Sequence, residues 1–386
     1  MWSFPERPSG QAAPDVIVIG AGIIGCSIAY HLSLQGRKVL VVDREHVGAG
    51  ASHVAPGMLT PQVEAHSHDA FFALTLAGRA EHAPLASALR EAVGMDVEYR
   101  VSGVVRVAAD EAERASLRRR WKWQRDRGLR VDWIEPEDLG RYERLLSGPA
   151  GRRLAGGLWF PDEAQVNAQR LVEALALACV RRGVEFREGV AIHGVTTTDS
   201  RVSGVRTASR DLTADSVVLA AGIGSKQIAR SIDVDLPVGP VKGQILRCHS
   251  RDRAPEQILW AGHCYLVPRV TGQIIVGATE EDGQDDPRPT LAGVAHLATQ
   301  ALELVPSLGA LRFDDVLGGL RPATPDRYPV IGRVSGLENL IVATGHFRGG
   351  ILLGPLTGKR VAQLVDQPDS PVDLLPFEPN RFAAVT

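Results

Sequence analysis

The stretch from Asp15 to Glu45 reads DVIVIGAGIIGCSIAYHLSLQGRKVLVVDRE, and it constrains the fold more than any other segment. Val16 to Ile19 is an unbroken β-branched run, the pattern of a strand buried on both faces of a parallel sheet. Gly20, Gly22 and Gly25 follow in the spacing G-x-G-x-x-G. Ile23 to Gln35 reads as a helix closed by Gly36, and Lys38 to Val42 as a second strand ending at Asp43. Each glycine has a physical reason. Gly20 permits the tight turn, Gly22 lets a pyrophosphate approach the backbone, and Gly25 lets the helix lie against the strand. The helix start offers free N–H groups and the positive end of a dipole. Asp43, 23 positions after Gly20, is placed to accept from ribose hydroxyls. The segment predicts an adenine-dinucleotide site, and by itself it does not choose between NAD and FAD.

The rest of the chain favours FAD. A classical NAD unit continues with further strand–helix–strand repeats. Here Asp43 is followed instead by HVGAGASHVAPGML, a small-residue loop with Ser52 and Gly57 that can thread past a flavin's phosphates and ring. Ser216 to Ala220 reads as a strand ending in Ala221 and Gly222, with a helix after it. Leu340 to Ala343 reads as another, followed by a glycine-rich turn from Gly345 to Gly350. The helix that starts near Ile351 aims its positive end at an electron-rich flavin carbonyl. Three strand-to-glycine-turn segments, far apart in sequence, predict a nucleotide domain built from discontinuous pieces. Between them, Pro237 to Gly277 alternates partly between apolar and polar residues, as an antiparallel sheet does. The predicted borders are 1–88, 155–235 and 318–386 for the dinucleotide unit, and 89–154 and 236–317 for a substrate unit.

Composition excludes several classes. A formal net charge of −2 over 386 residues gives no pull towards nucleic acid or an anionic membrane. The one basic cluster, RRRWKWQRDRGLR from Arg118 to Arg130, interleaves Trp121 and Trp123 with arginines; it reads as a surface helix or a subunit contact rather than a base-stacking surface. Cys26, Cys179, Cys248 and Cys264 form no C-x-x-C pair and no metal-like spacing, so they read as free thiols in a reducing, cytoplasmic setting. The first residues, MWSFPERPSGQAAP, do not have the pattern of a secretory signal, and no apolar run reaches membrane length.

GGLRPATPDRYPVIG, Gly318 to Gly332, places Arg321 after two glycines and before a proline. The glycines let the backbone come close to something, and the proline stiffens the chain behind a planar fork of donors. The bland alternative is an ion pair with Asp326.

Together the segments GAGIIG, PGMLTP, DAFF, PVKGQIL, HCYLVPR, GLRPATPDRYPVIG and GHFRGGILLGP resemble the FAD-dependent D-amino-acid oxidase superfamily, and within it the bacterial glycine oxidases of thiamine synthesis. The resemblance runs from about Asp15 to Val365. It implies an α/β (mixed α+β) fold: a Rossmann-like FAD-binding domain beside a substrate domain whose large, mostly antiparallel sheet roofs the flavin ring. It implies non-covalent FAD, since relatives that bind flavin through cysteine carry one near the arginine–proline segment and LGGLRPATPDRYP has none.

The residues that would hold the cofactor are Gly20, Gly22, Ile24, Gly25, Asp43 and Arg44, with Ser52, Gly57 and Met58 from the following loop. Val190, Ala221 and Gly222 join them from the middle of the chain, and His346, Arg348, Gly349, Gly350 and Ile351 from the last turn. In this family the arginine of G-L-R-P and the tyrosine of H-C-Y bind the substrate carboxylate, which maps onto Arg321 and Tyr265. The arginine of H-F-R maps onto Arg348, near the substrate amine, and Met58 lines the pocket. His263 and His346 read as structural hydrogen-bonding residues rather than bases.

The implied reaction passes hydride from Cα of a small amino acid to the flavin. It leaves an imine and, with oxygen, hydrogen peroxide. Partners are then the amino acid and oxygen, with a homotetramer implied by the resemblance. Two departures bear on specificity. Glu280 stands where glycine oxidases carry an apolar residue such as methionine, and His53 and Pro56 replace small residues beside the flavin. A D-amino-acid dehydrogenase, an N-methyl amino-acid oxidase and a non-catalytic dinucleotide-binding module remain open at this point.

Overall fold

The computed structural model describes residues 13–250, 252, 254–367 and 369–382. Two large sheets organise them. The first has six strands in the order Val330–Val334, Leu337–Thr344, Ser216–Leu219, Val16–Ile19, Val39–Val42 and Glu185–Arg187. Its first pair is antiparallel and the rest are parallel. Val16–Ile19 lies inside the sheet and both of its faces are covered. Val16 and Val18 join the core under the helices Ile23–Leu34, Ala168–Arg181 and Gly350–Asp366. Ile17 and Ile19 join the opposite core, which a three-stranded sheet covers. This double burial is why the strand is an unbroken apolar run.

The second sheet has nine strands. The order is Glu281–Asp282, Gly239–His249, Gln273–Gly277, Cys264–Pro268, Ile258–Ala261, Val104–Val107, Gly157–Phe160 and Asp132–Ile134, with Arg312–Ala323 paired along Gly239–His249. All contacts are antiparallel except that between Ile258–Ala261 and Val104–Val107. One face packs on the helix Leu291–Leu304 through Leu246, Leu266, Val276 and Leu297. The other carries Ile245, Tyr265 and Trp260.

Register explains that second face. Ile245 pairs with Gly277, Gly277 with Tyr265, Tyr265 with Trp260, and Trp260 with Arg106. Directly opposed residues project to the same side, so these five form one row across five neighbouring strands.

Sheet membership crosses the expected domain borders. Gly157–Phe160, and Arg312–Ala323 through its last residue, belong to the nine-stranded sheet. The sequence reading counts residues from 155 and from 318 with the dinucleotide unit. Short apolar strands look alike in sequence whichever sheet they join. The basic cluster forms the end of the helix Glu111–Arg125 and the loop after it, and its aromatics are used within the chain. Arg118 Cζ lies 3.5 Å from the ring centre of Trp133 and Arg125 Cζ 4.3 Å from that of Trp121. Among the described residues, no helix is long and apolar enough to cross a membrane.

Candidate active site

A cavity of about 1140 Å³ is lined by residues of both sheets. It exceeds the usual small-ligand pocket of about 300–1,000 Å³, so it has room for a dinucleotide and a small substrate together.

The dinucleotide end is built by the first strand–turn–helix. Gly20 has φ +107°, and a β-carbon there would lie 2.4 Å from the Ala220 carbonyl oxygen. The amide of Ala21 donates to Asp43 Oδ2 at 2.7 Å, and that of Glu45 to Oδ1 at 2.9 Å. Ser52 Oγ accepts from the amide of Ile23 at 3.0 Å, filling one orphan donor at the helix start. Gly20, Gly22, Ile24, Asp43, Arg44 and Ser52 line the cavity. So do Gly57, Met58, Val190, Ala221 and Gly222.

Gly25 does not line it. A β-carbon at Gly25 would lie 1.8 Å from the Gly20 carbonyl oxygen, so this glycine sets helix-to-strand contact. From the last turn, His346, Arg348, Gly350 and Ile351 line the cavity, whereas Gly349 faces Leu353 and Phe71. His346 is buried and its Nε2 lies 3.1 Å from Thr357 Oγ1; burial pulls its pKa down to about 3, so the ring is neutral. The bare Gly22 backbone, the helix start and the carboxylate of Asp43 fit a flavin dinucleotide.

At the other end, Arg321 and Tyr265 fold over two glycines. A β-carbon at Gly243 would lie 2.3–2.4 Å from Cζ, Nη1 and Nη2 of Arg321. One at Gly277 would lie 2.7 Å from Cε2, Cζ and Oη of Tyr265. Arg321 Nη1 donates to the carbonyls of Thr279 at 3.1 Å and Lys242 at 3.3 Å. Among the described residues no carboxylate lies within ion-pair distance of Arg321; Asp326 pairs instead with Arg381 at 2.9 Å. Burial pulls the Arg321 guanidinium below its ordinary value, with Tyr265 opposing. Burial also pushes the Tyr265 phenol up, against the nearby Arg321 and Arg348, so the hydroxyl stays a donor. What Gly318 and Gly319 approach is protein: the Pro287 carbonyl oxygen and the Val54 side chain.

Arg348 is held by two acids. Its Nε lies 2.9 Å from Glu64 Oε2 and its Nη1 3.5 Å from Glu280 Oε2. Glu64 holds the guanidinium above its ordinary value against the effect of burial. The Arg348 Cζ also lies 5.5 Å from the ring centre of Trp260, which meets Tyr265 edge-on at 5.5 Å. Glu280 thus faces the cavity. Pro56 lines it as well, whereas His53 does not and meets Gln169 instead. His263 is exposed at the cavity.

Sequence reading missed Glu64, Gly243 and Gly277. Glu64 sits six positions after Met58 with only VE before His66 to mark it. The two glycines matter through cross-strand register, which no local pattern encodes.

A cavity flanked by a G-x-G-x-x-G turn and a buried arginine–tyrosine pair fits a dinucleotide-dependent oxidoreductase. The chain belongs to the FAD dependent oxidoreductase family, whose model matches residues 15–364. FAD is therefore its cofactor. It is 33% identical to the glycine oxidase of Geobacillus kaustophilus, covering 95% of this chain and 97% of that one. The crystal structure of glycine oxidase from the same organism superposes with a TM-score of 0.92, at 31% identity over 96% of this chain and 99% of that one. The bifunctional protein ThiO/ThiG of Trichormus variabilis is 34% identical over 95% of this chain, and the chain spans 55% of that relative's length.

Proposed function

We propose that this chain oxidises the α-carbon–nitrogen bond of glycine or a similarly small amino acid, giving an imine. We further propose that the product feeds the thiazole-forming step of thiamine synthesis. The carrying observation is the convergence of Arg321, which has no carboxylate partner among the described residues, with Tyr265 on one wall of the flavin cavity. When bound, FAD supplies the two-electron acceptor and passes the electrons to oxygen.

The chain's residues bind and aim. Arg321 offers its fork to the substrate carboxylate. Its Nη1 bonds to the Thr279 and Lys242 carbonyls keep the fork from turning. Tyr265 donates a further hydrogen bond to the same carboxylate. Two anchors at one end leave Cα a narrow range of positions, and that positioning is a large part of the rate. Packing of the nitrogen away from water favours the neutral amine from which hydride leaves. A protein base is then not required, and burial leaves the Thr357-bonded ring of His346 a weak proton acceptor.

The proposal extends to assembly and place: a homotetramer in the cytoplasm, with FAD held non-covalently. The domain borders are proposed to follow sheet membership, so that Gly157–Phe160 and Arg312–Ala323 join the substrate domain. Anaerobic mixing with glycine tests the reading. Glycine bleaches the flavin band of the wild type and air restores it. Arg321→Ala keeps bound flavin and loses the bleaching. Normal glycine oxidation by that variant would overturn the carboxylate assignment.

A further inference from the structure

One guanidinium faces two carboxylates at the Arg348 end of the cavity. Glu64 is the nearer, at 2.9 Å against 3.5 Å for Glu280. Glu280 is the more loosely held of the two acids. Its side chain is 39% exposed and lines the same cavity as Arg321 and Tyr265. Both acids also act electrostatically on Arg321, which places the two ends of the cavity within one field. The neighbouring acids are otherwise engaged. Glu281 accepts from Gln244 Nε2 and Thr279 Oγ1, each at 2.6 Å, and Asp282 pairs with Arg327 at 2.6 Å. Arg321, in contrast, turns unpaired donors to the same space.

The cavity therefore holds an anion-seeking pair of donors and, in the same space, a part-exposed carboxylate whose one described ion pair is a 3.5 Å contact. We propose that Glu280 makes the Arg348 end a cation subsite: the amino acid is captured by its carboxylate at Arg321 and Tyr265 and by its protonated nitrogen at Glu280. This rests on the function proposed above and names the charge state that the site selects. Glu280 is then a specificity-determining residue. It favours primary and N-methylated ammonium groups. It disfavours carboxylates that lack a cationic nitrogen and substrates that bring a second carboxylate to this end. The subsite acts at capture; the ammonium then gives its proton to solvent past the part-exposed Glu280, and the α-hydrogen leaves from the neutral amine.

Two non-oxidisable ligands of one shape test the proposal on the flavin-loaded protein. Trimethylglycine carries a permanent cation; 3,3-dimethylbutanoate is its uncharged counterpart. Their dissociation constants are read from perturbation of the flavin spectrum, without turnover. The cation binds about tenfold more tightly or better to the wild type, the scale of a charge–charge contact in a partly screened site. Glu280→Gln brings the ratio close to one, and Glu280→Asp restores part of it. A wild-type ratio near one, or an unchanged ratio in Glu280→Gln, would overturn the proposal. Should neither ligand shift the spectrum, the KM for glycine decides: a rise of about tenfold in Glu280→Gln supports the subsite, and an unchanged KM overturns it. Failure of the wild type to bleach with glycine would instead count against the proposed function, so the two failures are distinguishable.

Discussion

The guanidinium of Arg321 lies face-on against the α-carbon of Gly243, at a site where a β-carbon would sit 2.3–2.4 Å from three of its atoms. The strand register makes this possible. Gly243 pairs with Gly319, two residues before Arg321 on the neighbouring strand, so the arginine leans diagonally across the ladder into the space that a side chain would fill. Gly243→Ala therefore pushes the fork off its seat. The expected result is a KM for glycine raised about tenfold to a hundredfold, with flavin content unchanged. An unaltered KM would show that Arg321 reaches the substrate from another position.

Gly277 does the same for Tyr265, with which it is directly paired. Gly277→Ala should tilt the ring and lower kcat/KM by about tenfold. Tyr265→Phe removes the hydroxyl donor and should cost a similar amount. Combined, the two should cost less than the product of the separate effects, because both act through one hydroxyl. Full multiplicativity in the double variant would mean that Gly277 serves something other than the tyrosine.

These glycines show where sequence stops speaking. The Val16–Ile19 strand, the turn and the helix after it were legible because each residue answers a local backbone demand. The antiparallel strands between Pro237 and Gly277 were legible through alternation. Arg321 and Tyr265 were legible from motif resemblance, and the structure places both in the cavity. The seats beneath them were not, since a glycine in VKGQIL or VGATE reads equally as a weak strand position. Glu64 and Glu280 meet at Arg348 from segments more than 200 positions apart. Only folding brings those charges together.

The cysteines bear on how the flavin is held. All four are buried, and none lines the cavity. Burial pushes the Cys264 thiol up to about 12 and raises Cys26 further from the thiolate form needed to attack a flavin. Acid precipitation should therefore leave a colourless pellet and a yellow supernatant. Flavin retained in the pellet after washing would disprove non-covalent attachment.

Glu163 gives the fold a pH dependence that a single substitution isolates. It is fully buried beneath the short helix Pro61–Glu64, which carries Glu64 to the site. It accepts from the amides of Gln62 at 2.6 Å and Val63 at 3.2 Å and from Arg79 Nη1 at 3.0 Å. Burial raises its carboxyl from 4.5 to about 7, with Arg79 opposing. Below 4.5 both folded and unfolded chains hold the proton, so the group adds no pH dependence there. Between 4.5 and about 7 the folded chain keeps a proton that the unfolded chain has released, so rising pH costs stability across that window. Glu163→Gln keeps an acceptor for the two amides and removes the titration. On going from about pH 5 to about pH 8, the wild type should therefore lose several degrees of Tm relative to the variant. A Tm difference that stays constant across that range would mean that Arg79 and the two amides keep Glu163 ionised throughout.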